Sequence, residues 1–168
     1  RGLKGTPTEN NSLTSDEVAR AKSTVLIQSA MFGLIPATDL IPEYKINATK
    51  NLNGLSLKRL WSEAHEAIWP RLAGGLIVDL RSNTYADLAP IPEVLPSFKV
   101  TVFVEREDGS REQLNHFNKK AKGQLVRAAL MAKTPPETIK DLQKCAAKAG
   151  LKVEVTGSML TVVTRSAT

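Results

Sequence analysis

The spacing of apolar residues predicts a chain that mixes helices with strands. Thr14 followed three positions later by Glu17 forms a capping-box pattern, which predicts a helix over residues 15–21. The β-branched run at residues 24–27 fits either a buried strand or the end of that helix, because short apolar runs are ambiguous. An apolar stripe at spacings of three and four predicts a second helix over residues 56–68.

Glycines and prolines mark the breaks between these elements. They predict a loop over residues 33–43, a turn over residues 51–54 and a further loop around residues 90–96. The nearly continuous apolar run at residues 76–80 is typical of a buried strand. Asp-Gly at 108–109 predicts a hairpin. The elements predicted for the C-terminal half are the strands 100–104 and 112–117, helices 118–132 and 135–149, and a closing hairpin of residues 151–155 and 159–164.

This order of elements predicts the α+β (mixed α/β) class, with a mixed sheet, two C-terminal hairpins and about four helices. The 168 residues suit a single domain, with residues 1–13 as an extended arm. Because the chain opens on Arg1 and not on Met, we expect a fragment of a longer protein. Its 42% hydrophobic and 24% charged residues exclude a disordered chain and predict a folded, water-soluble one.

The cysteine content and hydropathy bear on location. A single cysteine, Cys145, cannot form an internal disulfide, which favours a reducing cytoplasm. It lies on an apolar stripe, so packing is favoured over a peroxide-sensing thiol. No apolar run approaches the roughly 18 residues that span a bilayer, so we expect no membrane partner.

Positive charge is concentrated in one part of the chain. The net charge is +6, which favours a polyanionic partner. Residues 117–152 hold nine basic and two acidic residues, whereas the rest of the chain holds 14 basic and 15 acidic ones. The whole basic excess therefore lies in the two helices predicted after the first hairpin.

The first of these helices separates its apolar and basic residues. At 100° per residue, a basic side about 160° wide opposes an apolar side formed by Phe117, Ala121, Leu125, Ala128 and Ala132. Gly123 lies within the basic side. Glycine there costs about 1 kcal/mol relative to alanine, and close approach of a phosphate or of another backbone would explain its presence. An ordinary solvated helix face is the alternative. The predicted DNA-binding residues, which would contact phosphates without reading sequence, are Lys119, Lys120, Lys122 and Arg127.

Several short blocks resemble the YaaA family of bacterial peroxide stress resistance proteins. Residues 29–33 read Ser-Ala-Met-Phe-Gly, similar to the family's Ser-Gly-Leu-Tyr-Gly. Pro36, Asp39 and Tyr44 match its next two motifs. Residues 78–85 are similar to its Asn-Leu-Ala-Ser-x-Glu-Tyr, and residues 117–123 to its Tyr-Ala-Lys-Lys-Ala-Arg-Gly. The blocks occur in the family's order over nearly the whole chain.

The resemblance implies a YaaA-like fold and a cytoplasmic protein that limits hydrogen peroxide damage and binds DNA. It also implies that the family's N-terminal third, with its helix-hairpin-helix segment, is missing here. Four positions depart from the family: Phe32 replaces Tyr, Ile35 and Lys45 replace Arg, and Thr84 replaces Glu. Phe32 excludes phenol chemistry at its position.

A catalytic site is the alternative function. Asp79 interrupts an apolar strand, where an ionised carboxylate needs a partner such as Arg81. Polar groups beyond the end of a buried strand also mark ligand sites. With Lys120 facing this pocket, an enzyme acting on a nucleotide or base would use Ser29, Asp39, Tyr44, Asp79, Ser82 and Tyr85.

Whether the protein is an enzyme stays open at this stage. His65 and His116 are the only histidines, lie in separate elements and fit no zinc spacing, so we expect no metal. No phosphate-binding or dinucleotide glycine loop occurs, so we expect no cofactor.

Overall fold

The computed structural model describes residues 13–113 and 115–165, apart from the side chains of residues 115–117 and 165. All of the predicted arm except Leu13 lies outside these ranges. The helices are α1 (Ser15–Thr24), α2 (Leu57–His65), α3 (Asn83–Ala86), α4 (Asn115–Leu130) and α5 (Ile139–Lys148), with a 3-10 turn at Trp69–Leu72. The strands are β1 (Leu26–Ser29), β2 (Gly33–Pro36), β3 (Ile77–Asp79), β4 (Ser97–Glu105), β5 (Arg111–Glu112), β6 (Lys152–Thr156) and β7 (Met159–Arg165).

The chain divides into two compact units. The first unit runs up to Ala73 and includes Arg81–Leu95. It contains α1, α2, α3 and the antiparallel pair β1–β2. Its core is small and consists of Ala30, Ala48, Leu57 and Leu88, with Tyr44, Ile46, Leu60, Trp61 and Tyr85 packed against them.

The second unit contains Gly74–Leu80 and the described residues from Pro96 onward. Its sheet has the order β3-β4-β7-β6, with β5 paired to β4. β3–β4 and β4–β7 are parallel, whereas β6–β7 and β4–β5 are antiparallel hairpins. The predicted class and the mixed sheet with its two C-terminal hairpins are confirmed.

Two helices cover one face of this sheet. Valine and leucine side chains at alternate positions of β4 and β7 share a core with α4 and α5. The buried members are Val100, Val102, Leu160 and Val162 from the strands, Ala121 and Leu125 from α4, Leu142 and Ala146 from α5, and Leu151. Among the helices that the structure describes, none is long and apolar enough to cross a membrane.

The predicted boundaries failed at two turns. Residues 33–36 are not a loop but strand β2, because Gly33, with φ +69°, reverses the chain so that β2 pairs with β1. Pro36 is tolerated because it ends the strand. The strand predicted over residues 112–117 ends at Glu112, and α4 starts at Asn115. Residues 115–117 belong to α4 instead, because position 117 continues the four-residue spacing of Ala121 and Leu125.

Other helix ends differ from prediction by a few residues. α5 starts at Ile139 because Thr138 Oγ1 accepts the Asp141 N–H, so the helix begins after the prolines at 135–136. α2 stops at His65 and gives way to the 3-10 turn. The capping box at Thr14 is confirmed, and the ambiguous run resolves into the end of α1 followed by β1.

An ion-pair network links β4, β5 and β6. The Arg111 guanidinium forms a bidentate pair with Glu154, at 2.7 and 2.9 Å, and donates to Glu105 at 3.0 Å. Lys152 Nζ lies 3.1 Å from Glu154 Oε1. Hydrogen bonds from Arg111 and then from Lys152 lower the pKa of Glu154 from 4.5 to about 2.

This network predicts an acid-sensitive step in stability. The folded-state pKa of Glu154 is depressed, so its contribution is present above about 4.5 and is lost as the pH falls towards about 2. Thermal unfolding of Glu154→Gln should therefore show a weaker pH dependence across that window and converge on the wild type at its acid end. The exposed Glu137→Gln serves as the control with the wild-type slope. Equal slopes for wild type and Glu154→Gln would contradict the prediction.

Candidate functional site

The rotational setting of α4 is fixed by its buried side. Ala121, Leu125 and Ala128 are buried, as the sequence predicts, and Ala121 and Leu125 belong to the core shared with β4 and β7. Ala132 lies beyond the helix and is half-buried. The side chain of Phe117, predicted for the same side, is outside the described part. This setting decides where each basic side chain of α4 points.

Lys119 and Lys120 lie on the solvent side of α4 and are exposed. Within the described ranges, no carboxylate forms an ion pair with either side chain. Arg127 lies on the same side of the helix by the 100° rule and is half-buried. Lys119, Lys120, Gly123 and Arg127 span about 100° of the helix surface, and we call them the basic face.

Gly123 has open space around it. A Cβ added at this position would meet nothing within 4 Å apart from the helix's own backbone. Packing against the described residues therefore does not require glycine here. Glycine makes the helix less stable by about 1 kcal/mol relative to alanine, and no contact with the described residues accounts for that loss.

Lys122 differs from its neighbours because it lies at the border of the buried side. It is half-buried, and its Nζ donates to the Leu80 carbonyl oxygen at 3.0 Å, just beyond the end of β3. Burial lowers the pKa of Lys122, and Lys99 lowers it further, while the Asp79 carboxylate opposes both. Asp79 and Lys99 face each other in the β3–β4 register.

Three residues of the predicted catalytic pocket meet in the first unit. Ser29 Oγ lies 2.7 Å from Tyr44 Oη, and both Tyr44 and Tyr85 pack against the small core. Burial, and secondarily Tyr44, raises the pKa of Tyr85. Phe32 packs edge-on against Tyr44, with ring centroids 5.5 Å apart. The family-like block at residues 29–33 and Tyr44 are thus spatial neighbours.

The hydrogen bonds of Ser29 identify it as a turn-forming serine. Its Oγ accepts the N–H groups of Met31 at 3.1 Å and Phe32 at 3.0 Å, which occupies both lone pairs. The Ser29 hydroxyl therefore donates to Tyr44, and the Tyr44 hydroxyl hydrogen has no acceptor among the residues described. Such side-chain to backbone bonds stabilise turns, so Ser29 organises this turn more than it offers a nucleophile.

The remaining pocket candidates are placed differently. Asp39 and Ser82 are exposed, and Ser82 precedes α3 without capping it through its side chain. Asp79 belongs to the second unit, beside Lys122. Arg81, expected to accompany Asp79, donates to Gln28 Oε1 and to the Ala89 carbonyl.

The histidine and the tryptophans of the first unit form an aromatic cluster. His65 is fully buried and stacks on Trp69 at 5.4 Å, while its Nδ1 bonds the Trp61 carbonyl. The side chain of His116 is outside the described part. No group of three or more His, Cys, Asp or Glu side chains suited to a metal occurs in the described ranges.

Sequence reasoning missed the partners of Lys122. The Leu80 carbonyl is a backbone group and leaves no trace in a residue pattern. Lys99 stands in an apolar strand, and this was the one feature of the sequence that could have singled it out. Asn118, one helical turn before Lys122, has a buried Oδ1 without a hydrogen-bond partner among the described residues. Only the helical spacing of four could have linked Asn118 to Lys122.

Comparison with known proteins identifies a matching family model and several relatives. A sequence model described as "Peroxide stress protein YaaA" matches residues 6–155. A UPF0246 protein of Corynebacterium glutamicum (strain R) is 36% identical over 143 residues, covering 80% of this chain and 56% of that protein. One from Streptomyces coelicolor is 33% identical over 145 residues, covering 85% and 55%. One from Shewanella woodyi is 29% identical, covering 77% and 54%. The chain spans about half the length of these curated relatives.

The turn that carries Ser29 yields a stability prediction. A Cβ on Gly33 would lie 2.6 Å from Trp61 Cζ3, and Gly33 has φ +69°. Trp61 cannot easily yield, because its Nε1 donates to the Ala30 carbonyl at 2.9 Å. Gly33→Ala should therefore lower the free energy of unfolding by about 2–4 kcal/mol, from left-handed strain and overpacking together.

The matched control for Gly33→Ala is Gly157→Ala. Gly157 also has positive φ, at +58°, but nothing lies within 4 Å of its added Cβ. We expect the free energy of unfolding of this control, measured with urea, to fall by only about 1 kcal/mol. Equal losses in the two variants would show that the Trp61 contact does not constrain the turn.

Proposed function

The chain belongs to the family of the peroxide stress protein YaaA, and from this premise we propose that it protects against hydrogen peroxide by binding DNA through the basic face of α4. The observation that carries the proposal is the pair Lys119 and Lys120, exposed side by side in the second turn of α4. They contact backbone phosphates, which positions a protein on DNA without reading its sequence.

The electrostatics of the second unit support this proposal. Lys119 and Lys120 lie in the second turn of α4, past its four free N–H groups, as adjacent like charges that repel each other. A bound phosphate removes that repulsion. Elsewhere in the unit, Lys144 pairs with Asp141, and Lys152 with Glu105 and Glu154. Those lysines are partly neutralised, unlike the pair in the second turn of α4.

We further propose different roles for the four predicted DNA-binding residues. Lys119 and Lys120 make the principal contacts, and Arg127 extends the face by two helical turns. Lys122 lies at the border, since its ammonium already bonds the Leu80 carbonyl. Gly123 lets the DNA backbone approach the helix closely.

The first test is the salt dependence of DNA binding. Each phosphate contact contributes about −0.9 to the slope of log K against log salt. For the full chain on a random-sequence duplex, Lys119→Gln with Lys120→Gln should make that slope shallower by about 2 and weaken binding at low salt. Fluorescence anisotropy across a salt series measures both.

The matched control is Lys140→Gln with Lys148→Gln, which removes the same charge from exposed positions of α5. It should leave the slope close to that of the wild type. If both double variants changed the slope equally, binding would reflect net charge alone and the basic face would not be the site.

Gly123→Ala gives a second test, in which stability and binding move in opposite directions. The added methyl group meets open space, so the free energy of unfolding of the variant should be about 1 kcal/mol higher than that of the wild type. We expect its DNA affinity to fall, because the methyl group holds the phosphate away from the helix. Urea unfolding and anisotropy on the same preparation check this, and unchanged affinity would remove the proposed role of Gly123.

The enzyme alternative is favoured by one observation. The Tyr44 hydroxyl, held by Ser29, has a hydrogen available for a ligand beside Tyr85. A nucleotide or base would accept that hydrogen bond. Isothermal titration with nucleoside monophosphates tests it, and Tyr44→Phe should abolish any binding found.

A further inference from the structure

Lys122 sits in a different environment from every other lysine of α4. One N–H of its ammonium is held by the Leu80 carbonyl at 3.0 Å, which fixes the direction of Nζ. The side chain is half-buried, whereas Lys119 and Lys120 are exposed. Asp79 and Lys99, opposite each other across β3 and β4, both act on it. Partial desolvation and a neighbouring second cation are how proteins make a lysine amine nucleophilic.

The neighbouring groups supply what an amine nucleophile needs. Burial and Lys99 lower the pKa of Lys122, which increases the share of neutral amine near neutral pH. The Asp79 carboxylate is near enough to oppose that shift and can carry a proton. Asn118 Oδ1, buried and without a hydrogen-bond partner among the described residues, is an acceptor one helical turn away.

We infer that Lys122 is an amine nucleophile that forms an imine with an aldehyde, and that on DNA this aldehyde is the ring-opened sugar of an abasic site. The DNA part of this inference rests on the proposed function. The basic face would hold the flanking phosphates, and Lys122 borders it on the same helix. An aldehyde is the carbonyl group that a damaged DNA strand presents to an amine.

The step balances without an oxidant or reductant. The Nζ lone pair attacks the aldehyde carbon, so that a C–N bond forms and the carbonyl π bond breaks. The proton shed by nitrogen passes through Asp79 to the oxygen, and the resulting hydroxyl donates to Asn118 Oδ1. Asp79 then passes the second proton of nitrogen to that hydroxyl, which leaves as water as the C–O bond breaks and the C=N bond forms. Amine and aldehyde become imine and water.

Reductive trapping tests the inference on the full chain. A duplex with one abasic site is incubated with the protein and cyanoborohydride, and the covalent adduct is mapped by peptide mass spectrometry. We expect an adduct on Lys122, and none with the intact duplex. Lys122→Arg keeps the charge and a donor to Leu80 but cannot form an imine, so its adduct should be lost. The exposed Lys140→Arg, outside the site, is the control and should trap like the wild type.

The outcomes separate this inference from the proposed function. If the abasic duplex binds but the adduct is absent, or is spread over surface lysines and unchanged in Lys122→Arg, the inference is overturned while DNA binding stands. If no duplex binds, the proposed function fails. In that case, labelling with free 2-deoxyribose 5-phosphate and cyanoborohydride tests whether the Lys122 amine forms an imine without DNA. Preferential labelling of Lys122 over the other lysines then supports it, and even labelling overturns it.

Discussion

Burial of one side of α4 against β4 and β7 is the interaction on which the arrangement of side chains in the second unit depends. Leu125 is 1% exposed and Leu160 is 0% exposed, so this contact is closed to water. Interior packing at such density tolerates little rotation of a helix. Because the helix cannot turn, every side chain on α4 has its direction set by its distance from Leu125 in steps of 100°.

This constraint gives three lysines within four positions two different surroundings. Lys119 and Lys120 point into solvent, while Lys122, rotated towards the buried side, reaches the end of β3. The same residue type therefore provides exposed cations at two positions and a shielded amine at the third. The parallel register of β3 and β4 completes the arrangement, because it places Asp79 opposite Lys99 near that amine.

Local periodicity was enough to predict much of the second unit. The Asp-Gly turn, the apolar stripe of α4 and the closing hairpin are signals carried by neighbouring residues, and all three were confirmed. The first unit was harder because Gly33 and Pro36 are loop signals in isolation. The role of Gly33 in the turn between β1 and β2 depends on Trp61, which lies far along the chain and packs on Gly33.

The candidate sites show the same limit of sequence-based prediction, which does not reveal contacts between distant parts of the chain. Residue types suggested Lys122 as one more phosphate contact, yet its bond to Leu80 joins positions 42 residues apart. A contact to a backbone carbonyl depends on the fold and not on the identity of the residue that supplies it. Likewise, Ser29 stood out by resemblance, but its role follows from two N–H groups that no sequence pattern displays.

Residues 119–123 of α4 are a place where local and global preferences disagree. Lys119 and Lys120 are like charges on the same side of the helix and repel each other, and Gly123 weakens the helix further. The core on the opposite side of α4 supplies the stability that lets these residues persist. Natural sequences tend to keep such conflicts where a ligand resolves them. A polyanion bound at the basic face would do so, because it neutralises the lysines and can approach the helix closely at Gly123. The conflict between stability and sequence at residues 119–123 is therefore the strongest physical argument for placing the ligand there.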